Sequence, residues 1–329
     1  MHVSTQFLRK WMARRRTPPG SLEVIPDVQS PELGNRRDIL VYLPSSYAKT
    51  DKAYPVIYMH DGQNLFDPTT SFAGEWGVDQ AMARASRKGR RAIVVGIPNM
   101  GVDRTREYSP FVDLRSGGGM GDAYIDFLLH TVKPMIDAHY RTLPGVEQTG
   151  IVGSSLGALI SLYAFFRAPR AFGFAGIMSP ALWFAEGAIF RQVENAPYVG
   201  GRIYLDVGMR EGAGTLANAR DMRDLLLSKG YEMGKTLSWV EDKIGMHNEA
   251  AWGRRVRSAL PFLLGGDGDG AGSHEGPHED CHEGSHEDRH EDRHEDRHED
   301  RQDWHGWRSL TLIFVTSADG RTSLGGIWT

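Results

Sequence analysis

The ten-residue stretch 151–160, with the sequence IVGSSLGALI, constrains this chain more than any other part of it. It joins one apolar run to another through Gly-x-Ser-x-Gly, a pattern typical of a sharp turn from a strand into a helix with a serine at its tip. Gly153 and Gly157 suit such a turn, because a side chain at either position would crowd the packing of helix on strand. The turn would expose the Ser155 hydroxyl at the helix N-terminus, where developing negative charge is stabilised.

The residues on either side of the pattern decide whether it is a functional turn. A Gly-x-Ser-x-Gly match arises by chance roughly once in every few chains of this composition. Here residues 149–153 have the pattern of a buried strand, and residues 156–167 have the length and apolar content of a packed helix. The stretch therefore predicts a nucleophile elbow with Ser155 as the nucleophile.

Strands and helices alternate along most of the chain. Apolar and alternating runs predict two paired edge strands and six further strands, and helical periodicity predicts five helices. The strands are 22–25, 38–43, 55–59, 92–97, 149–153, 172–178, 203–207 and 236–240, and the helices are 78–86, 122–139, 156–167, 216–228 and 249–264. This order predicts an α/β fold with a mainly parallel central sheet and helices on both faces. Because ligands of such sheets bind at the carboxyl ends of strands, we expect the site in the loops that follow them.

The general base of a serine nucleophile is expected to be a histidine, and five histidines precede residue 266. His2 lies in an N-terminal arm, and His130 and His139 lie within one predicted helix. His60 precedes the nucleophile and sits where backbone amides are needed. His247 follows the last strand and opens the last helix, at the expected edge of the sheet, so it is the predicted base.

The acid of a Ser-His-acid triad lies between serine and histidine when the chain order is that of elbow-type hydrolases. Glu211 lies in the loop directly after strand 203–207, where it can orient the imidazole and stabilise its charged form. Asp206 near the end of that strand is the main alternative. Glu241 and Asp242, just before the histidine loop, are further alternatives.

Two amide donors are needed to stabilise a tetrahedral oxyanion. The N–H of Leu156 follows the nucleophile directly. The second donor is expected from the loop after strand 55–59, where Gly62 lets the backbone turn and the N–H of Gln63 can point inward. An Asx-type turn without catalytic meaning is the alternative interpretation of this loop.

Seven motifs carry a resemblance to a known family. They are VYLP at 41–44, HDGQNLF at 60–66, REYSP at 106–110, KPMID at 133–137, GSSLG at 153–157, SPALWF at 179–184 and HNE at 247–249. Together they resemble the esterase family of α/β-hydrolases over residues 37–265, most closely its branch of bacterial predicted α/β-hydrolases. That family includes enterochelin esterases, feruloyl and other carbohydrate esterases, S-formylglutathione hydrolase and mycobacterial mycolyltransferases.

The resemblance implies an α/β-hydrolase fold and a carboxylic ester hydrolase without a cofactor or metal. It puts the nucleophile on Ser155, the base on His247, the oxyanion amides on Gln63 and Leu156, and an acid in the loop of Glu211. The expected reaction passes through an acyl-enzyme. An acyltransferase or a thioesterase on the same triad is the alternative, and a metal-binding protein acting through its tail is a third hypothesis.

Several aromatic and basic residues lie in or near loops on the expected catalytic side. The aromatic ones either line a substrate pocket or pack in the core, and they are Trp76, Tyr108, Trp183, Phe184 and Trp252. We predict substrate contact for Trp76, Tyr108 and Trp183. Arg104 and Arg106 either meet an anionic substrate or are surface charges, and the second interpretation is preferred.

The composition of the chain argues against membrane-spanning, secreted and disulfide-bonded proteins. No apolar run approaches the roughly 20 residues of a membrane-spanning helix. Residues 1–16 carry five basic side chains but no apolar segment of the secretory-signal type. Cys281 is the only cysteine, so no intrachain disulfide can form. We expect a cytoplasmic protein with no membrane span, no nucleic-acid partner and a small-molecule ester as substrate.

The chain ends in a part of very different composition. Residues 274–301 hold a four-residue repeat in seven copies, each beginning His-Glu. Residues 267–303 carry fifteen acidic residues against four arginines, a local charge of −11, so the rest of the chain sums to +7 against a total of −4. The spacing puts neighbouring imidazoles on one side of a helix, where a divalent metal can bind adventitiously. It also stacks like charges, which opposes a helix and favours disorder.

These patterns predict four segments. A basic arm at 1–20 carries apolar residues on one helical side and is expected to dock on the body, with a membrane surface or an anionic partner as the alternative. The hydrolase domain spans 21–265. The repetitive tail spans 266–303, and residues 304–329 match no part that a hydrolase domain needs.

Overall fold

The computed structural model describes residues 20–72 and 74–265 with their side chains, and the backbone of residues 310–316 and 322–328. The chain divides into two compact units, Met1–Gly272 and Ser273–Thr329. The strands of the first unit are β1 (Gly20–Ser30), β2 (Asn35–Pro44), β3 (Val56–His60), β4 (Ile93–Ile97), β5 (Val112–Asp113), β6 (Gly117–Gly118), β7 (Thr149–Ser154), β8 (Phe174–Met178), β9 (Arg202–Gly208) and β10 (Leu237–Asp242).

The helices of the first unit lie mainly between these strands. They are α1 (Val78–Ser86), α2 (Arg104–Glu107), α3 (Gly121–Asp126), α4 (Lys133–His139), α5 (Leu156–Arg167), α6 (Phe184–Asn195), α7 (Ala213–Ser228) and α8 (Glu249–Leu263). A π-helical segment, Phe127–Val132, joins α3 to α4. The sequence pattern predicts one regular helix here. The π-helical segment lies just before Pro134. Proline has no N–H, so it cannot donate the α-helical hydrogen bond to the carbonyl four residues before it.

Eight strands form one sheet in the order β1-β2-β4-β3-β7-β8-β9-β10. β2 is antiparallel to both of its neighbours, β1 and β4, and the other adjacent pairs are parallel. β5 and β6 pair separately. The prediction of a mainly parallel sheet preceded by paired edge strands is therefore confirmed. The carboxyl ends of β3, β7, β8, β9 and β10 lie side by side at one edge.

Helices cover both faces of this sheet, as predicted. On β3, Val56 and Tyr58 pack in one core cluster with Leu159 of α5, whereas Ile57 and Met59 pack in a second cluster with residues of α1 and α8. Because neither face meets water, the central strands are continuous apolar runs rather than alternating ones. Both clusters hold the strand ends, and thus the loops beyond them, in fixed positions.

Two helices that follow strand ends were not predicted, the short α2 and the longer α6. Directly after its first residue, Phe184, α6 has three residues, Ala185, Glu186 and Gly187, whose φ angles of 49°, 55° and 72° are left-handed. A helix that opens in this way has no regular cap or first turn for a sequence pattern to reveal. The predictions of helices at 78–86 and 156–167 match α1 and α5 at both ends.

The second unit contains two strands, β11 (Leu310–Thr316) and β12 (Thr322–Trp328), which pair antiparallel from Leu310 opposite Trp328. The predictions for the basic arm and for the His-rich repeat lie outside the described residues. Within the described ranges, the helices are all too short or too polar to cross a membrane. The same ranges hold no group of three or more His, Cys, Asp and Glu side chains arranged to bind a metal.

Candidate active site

The turn between β7 and α5 has the strained backbone of a nucleophile elbow. Ser155 has φ 56° and ψ −122°, a conformation that costs a non-glycine residue on the order of 1–3 kcal/mol. Hydrogen bonds hold it there: its N–H donates to Met178 O at 3.0 Å, and its carbonyl accepts from Leu159 N–H at 3.0 Å. A Cβ on Gly153 would lie 2.5 Å from Gly157 O, so only glycine permits this approach of strand and helix.

His247 reaches the elbow from the loop between β10 and α8. Its Nε2 lies 3.0 Å from Ser155 Oγ. The next residue, Asn248, caps α8 by accepting a hydrogen bond from Ala251 N–H on its Oδ1 at 3.0 Å. The imidazole also packs edge-on against the Trp252 ring, with 5.0 Å between ring centroids. Helix cap and indole together fix the position of the imidazole.

Glu211 lies behind this histidine in the loop after β9. Its Oε2 is 2.8 Å from His247 Nδ1, and its Oε1 accepts from Gly208 N–H at 2.8 Å. Burial alone would raise the pKa of the fully buried Glu211 side chain, but hydrogen bonds from His247 and Ser179 hold that pKa below its usual value. An ionised carboxylate only accepts hydrogen bonds, so Nδ1 carries the imidazole proton. Nε2 is then free to accept the proton of Ser155.

The structure does not bring the alternative acid Asp206 to the histidine. Asp206 is buried below the loop, where its Oδ1 accepts from Ser179 N–H at 3.1 Å and its Oδ2 lies 3.2 Å from Arg255 Nε. Burial raises the pKa of Asp206 to about 7, despite the nearby arginine. The residue points inward because side chains alternate along β9, so the loop residue Glu211 is the one that reaches His247.

The other acids considered for the triad are also engaged elsewhere. Glu241 binds Arg220 through both carboxylate oxygens, at 2.8 and 2.9 Å. Asp242 pairs with Arg254 and accepts from Ile244 N–H. Neither is hydrogen-bonded to His247.

The predicted oxyanion donors lie in the loops after two adjacent strands, β3 and β7. Leu156 opens α5, so its N–H has no acceptor within the helix. Gln63 is the middle residue of a 3₁₀ turn whose hydrogen bonds come from Asn64 N–H and Leu65 N–H, which leaves the N–H of Gln63 out of the turn. A Cβ on Gly62 would lie 2.7 Å from the backbone of β4, so this glycine permits the loop to pack against the sheet.

A buried polar cluster supports the Gln63 loop from below. Arg104 donates to both oxygens of Asp61, each at 2.8 Å, and Asp61 N–H donates to Tyr108 Oη at 3.0 Å. Burial lowers the pKa of His60 to about 3, so its ring is neutral, and Nδ1 lies 2.8 Å from Tyr124 Oη. His60 is therefore structural, and Arg104 is a largely buried ion-pair partner of Asp61 rather than a free surface charge or an anion site.

Substitution of Asp61 by asparagine is expected to lower the free energy of unfolding by about 3–5 kcal/mol, because it leaves the largely buried Arg104 guanidinium unpaired. Arg104 outweighs burial and lowers the pKa of Asp61 below 3.8, so the stabilisation is present at neutral pH and is lost as the pH falls through the folded-state pKa. Urea unfolding at pH 7 and below pH 4 measures both effects.

The control is Asp27→Asn. Asp27 has the same left-handed backbone as Asp61, with φ 56° against 53°, and also pairs with an arginine, Arg36, but both side chains are about half exposed. We expect a loss below about 1 kcal/mol. Equal losses for the two variants would show that the buried pair contributes no more than the surface one.

The aromatic residues predicted to contact substrate divide into buried and exposed. Trp76 is 3% exposed and packs against Trp252, and Tyr108 is fully buried beneath the Gln63 loop, so neither reaches the site surface. Phe184 is also a core residue. Trp183, by contrast, is 57% exposed. Arg106 pairs with Asp103 on the surface, which matches the preferred interpretation of that residue.

A cleft of about 510 Å³ lies beside Trp183 at the start of α6. It is lined by Leu182, Trp183, Glu186, Gly187, Phe190, Arg191 and Asn218. The segment that lines it is linked to the elbow, because Ala181 N–H, two residues before Trp183, donates to Ser155 O at 3.1 Å. The left-handed turn at residues 185–187 contributes Glu186 and Gly187 to its lining.

Sequence reasoning did not find two of the side chains near Glu211. Ser179 follows β8 directly and Arg255 lies on α8, and both are buried. Ser179 stands within the SPALWF motif at the end of a strand, which was a signal for a site residue. Nothing in the pattern of α8 distinguishes Arg255 from its exposed neighbours.

Comparison with known proteins identifies relatives of most of the first unit. A family model described as Putative esterase matches residues 30–263. The uncharacterized protein YbbA of Bacillus subtilis is 26% identical over 248 residues, 70% of this chain and 94% of its own. A siderophore triacetylfusarinine C esterase of Aspergillus fumigatus is 27% identical over 146 residues, 43% of this chain and 48% of its own. The crystal structure of the BES protein from Bacillus cereus shares the fold, with a TM-score of 0.60 at 21% identity over 76% of this chain and 98% of that one.

Proposed function

This chain belongs to the Putative esterase family and is a carboxylic ester hydrolase, and from this premise we propose that it cleaves its ester with a Ser155–His247–Glu211 triad. One observation carries the proposal. A continuous series of hydrogen bonds, 2.8 Å from Glu211 to His247 and 3.0 Å from His247 to Ser155, joins three loops at the carboxyl edge of the sheet. This is the order of contacts that activates a serine hydroxyl.

The chemistry is a double displacement through an acyl-enzyme. His247 Nε2 takes the Ser155 proton as Oγ attacks the ester carbonyl, and the N–H groups of Gln63 and Leu156 receive the oxyanion. His247 then gives its proton to the departing alcohol. Water, deprotonated by the same imidazole, attacks the acyl group; the bond to Ser155 Oγ breaks, His247 returns the proton to Oγ, and the acid is released. Glu211 stays ionised throughout and stabilises the imidazolium.

Covalent labelling tests this assignment directly. An organophosphorus ester such as diisopropyl fluorophosphate should modify the full chain once, on Ser155, and hydrolysis of p-nitrophenyl acetate should disappear in proportion. Mass spectrometry of the digested protein locates the label. Hydrolysis that survives complete labelling of Ser155, or a label at another residue that abolishes it, would contradict the proposal.

The cleft beside Trp183 favours esters with an aromatic or large apolar group. Its lining combines the exposed indole and Phe190 with one cationic side chain, Arg191, so it offers a flat apolar surface next to a polar rim. The name of the Aspergillus fumigatus relative identifies that protein as a siderophore esterase. For this chain we propose the broader class of aryl esters.

Trp183→Ala is expected to lower kcat/KM for a naphthyl ester by about 3- to 10-fold, the loss of one aromatic contact. Hydrolysis of ethyl acetate should stay within twofold of the wild type, because a small ester does not reach the indole. Tyr198→Ala is the control, since Tyr198 is also half exposed but precedes β9, at the opposite edge of the sheet. If Trp183→Ala lowered kcat/KM equally for the naphthyl ester and for ethyl acetate, this cleft would be excluded as a substrate site.

A further inference from the structure

The hydroxyl group of Ser179 lies at the centre of a buried cluster behind the Glu211 carboxylate. Ser179 is fully buried. Its Oγ is 2.6 Å from Glu211 Oε1, 2.6 Å from Arg255 Nη2 and 3.0 Å from Trp252 Nε1. No step of the proposed mechanism uses this residue, yet its hydroxyl makes three hydrogen bonds.

The chemistry of these partners fixes the direction of each bond. Indole and guanidinium groups only donate hydrogen bonds, so Trp252 and Arg255 occupy the two lone pairs of the Ser179 hydroxyl. A hydroxyl has one proton, and the remaining partner is Glu211 Oε1, which accepts it. The proton of Ser179 is therefore directed at the carboxylate and has no alternative acceptor among these three partners.

This arrangement gives the two oxygens of Glu211 different tasks. Oε1 accepts from Ser179 Oγ at 2.6 Å and from Gly208 N–H at 2.8 Å. Arg255 Nη2 also lies 3.4 Å from Oε1. Oε2 is left for His247 Nδ1 at 2.8 Å. Rotation of the carboxylate would break the bonds to Oε1, so the contacts at one oxygen determine where the other points.

The backbone of Ser179 is held as firmly as its side chain. Its φ of 44° is left-handed, a conformation in which a residue with a Cβ is strained. Its N–H donates to Asp206 on the neighbouring strand, to the carbonyl at 3.0 Å and to Oδ1 at 3.1 Å. Glycine would adopt this conformation without strain, so the serine is kept at a cost in stability.

The charges around the cluster keep the proton off Glu211. Arg255 is the one cation within 4 Å of both Glu211 and Asp206 in the described part of the chain. Burial raises the pKa of Asp206 to about 7, whereas that of Glu211 is lowered. Near neutral pH, Asp206 takes up a proton before Glu211 does, which leaves the charge of Arg255 to stabilise the ionised Glu211.

We propose that Ser179 is a positioning residue of the esterase: its hydroxyl, oriented by Trp252 and Arg255, holds the Glu211 carboxylate with Oε2 towards His247. The inference rests on the proposed function, because it requires that Glu211 orients the base. It assigns to Ser179 an effect on the chemical step and none on the binding of substrate.

The test compares Ser179→Ala with Ser179→Gly in the full chain. Both lack the hydroxyl, but glycine also relieves the left-handed strain, so the two variants should differ in melting temperature. Both should lose about 10- to 100-fold in kcat on p-nitrophenyl acetate, with KM within twofold of the wild type. Ser161→Ala is the matched control, because Ser161 is equally buried and donates only to Gly157 O at 2.7 Å.

A double-mutant cycle separates positioning from a general structural role. If Ser179 acts through Glu211, then Ser179→Ala should change kcat by less than about twofold when Glu211 is already glutamine. Equal losses of kcat in both backgrounds, or wild-type kcat in a folded Ser179→Gly variant, would overturn the inference. Ser155→Ala distinguishes failure of the proposed triad from failure of the role of Ser179. If Ser155→Ala stays active, the proposed function is wrong. If Ser155→Ala is inactive but Ser179→Gly is fully active, only the role of Ser179 is wrong.

Discussion

Replacement of Ser155 by alanine is expected to lower kcat for p-nitrophenyl acetate by about 10⁵- to 10⁶-fold, the size of effect seen when a triad nucleophile is removed. The reason is structural as well as chemical. Ser155 Oγ is the only atom of its side chain that can be acylated, and it already lies 3.0 Å from the base. Alanine keeps the Cβ and the strained backbone, so the elbow itself should be unchanged.

The sequence provides a control for this variant at the next position. Ser154 ends β7 and is 3% exposed, so Ser154→Ala removes a hydroxyl from the same turn without touching the predicted chemistry. We expect its kcat to stay within about threefold of the wild type. Steady-state kinetics on both variants, with circular dichroism to verify folding, measure the difference. Comparable activity of Ser155→Ala and Ser154→Ala would remove Ser155 from the mechanism.

Substitution of Glu211 by glutamine should have the second largest effect, a loss in kcat of about 10³- to 10⁴-fold. Glutamine has the same shape, but it can present an N–H₂ group to His247 Nδ1, which favours the wrong tautomer and leaves the imidazolium without its counter-charge. The side chain is fully buried, so water does not replace the lost contact. KM should change far less than kcat, because Glu211 does not touch the substrate.

Asp206→Asn is the comparison that identifies the acid. Burial raises the pKa of Asp206 to about 7, so the neutral asparagine resembles the protonated form of this carboxyl. We expect kcat to fall by less than about tenfold. The larger loss must belong to Glu211→Gln. If Asp206→Asn lowered kcat more than Glu211→Gln, the triad acid would be Asp206 on β9 and not Glu211.

Much of this candidate site could be predicted because its residues lie in the loops directly after strands. Ser155, Glu211 and His247 each follow a strand that periodicity reveals, and parallel strands bring their carboxyl ends to one edge whatever their order in the sheet. The glycines at 153 and 157 added a local signal. The fold class followed from the same alternation.

What could not be predicted depends on how the layers pack. Trp76 and Trp183 look alike in the sequence, and only the approach of α8 to α1 buries the first and leaves the second exposed. The contacts of Arg104 with Asp61 and of Ser179 with Arg255 join segments 43 and 76 residues apart, and no pattern within one element encodes them. The left-handed opening of α6 has no periodicity to detect.

The contribution of α8 also bears on when the protein becomes active during synthesis. The nucleophile is translated 92 residues before its base, and Trp252 and Arg255, which donate to the Ser179 hydroxyl, come later still. A ribosome-bound chain that ends between α5 and α8 therefore carries the elbow but not an assembled triad. Esterase activity should appear only after this helix has left the exit tunnel, which makes activity a reporter of the last folding step of the first unit.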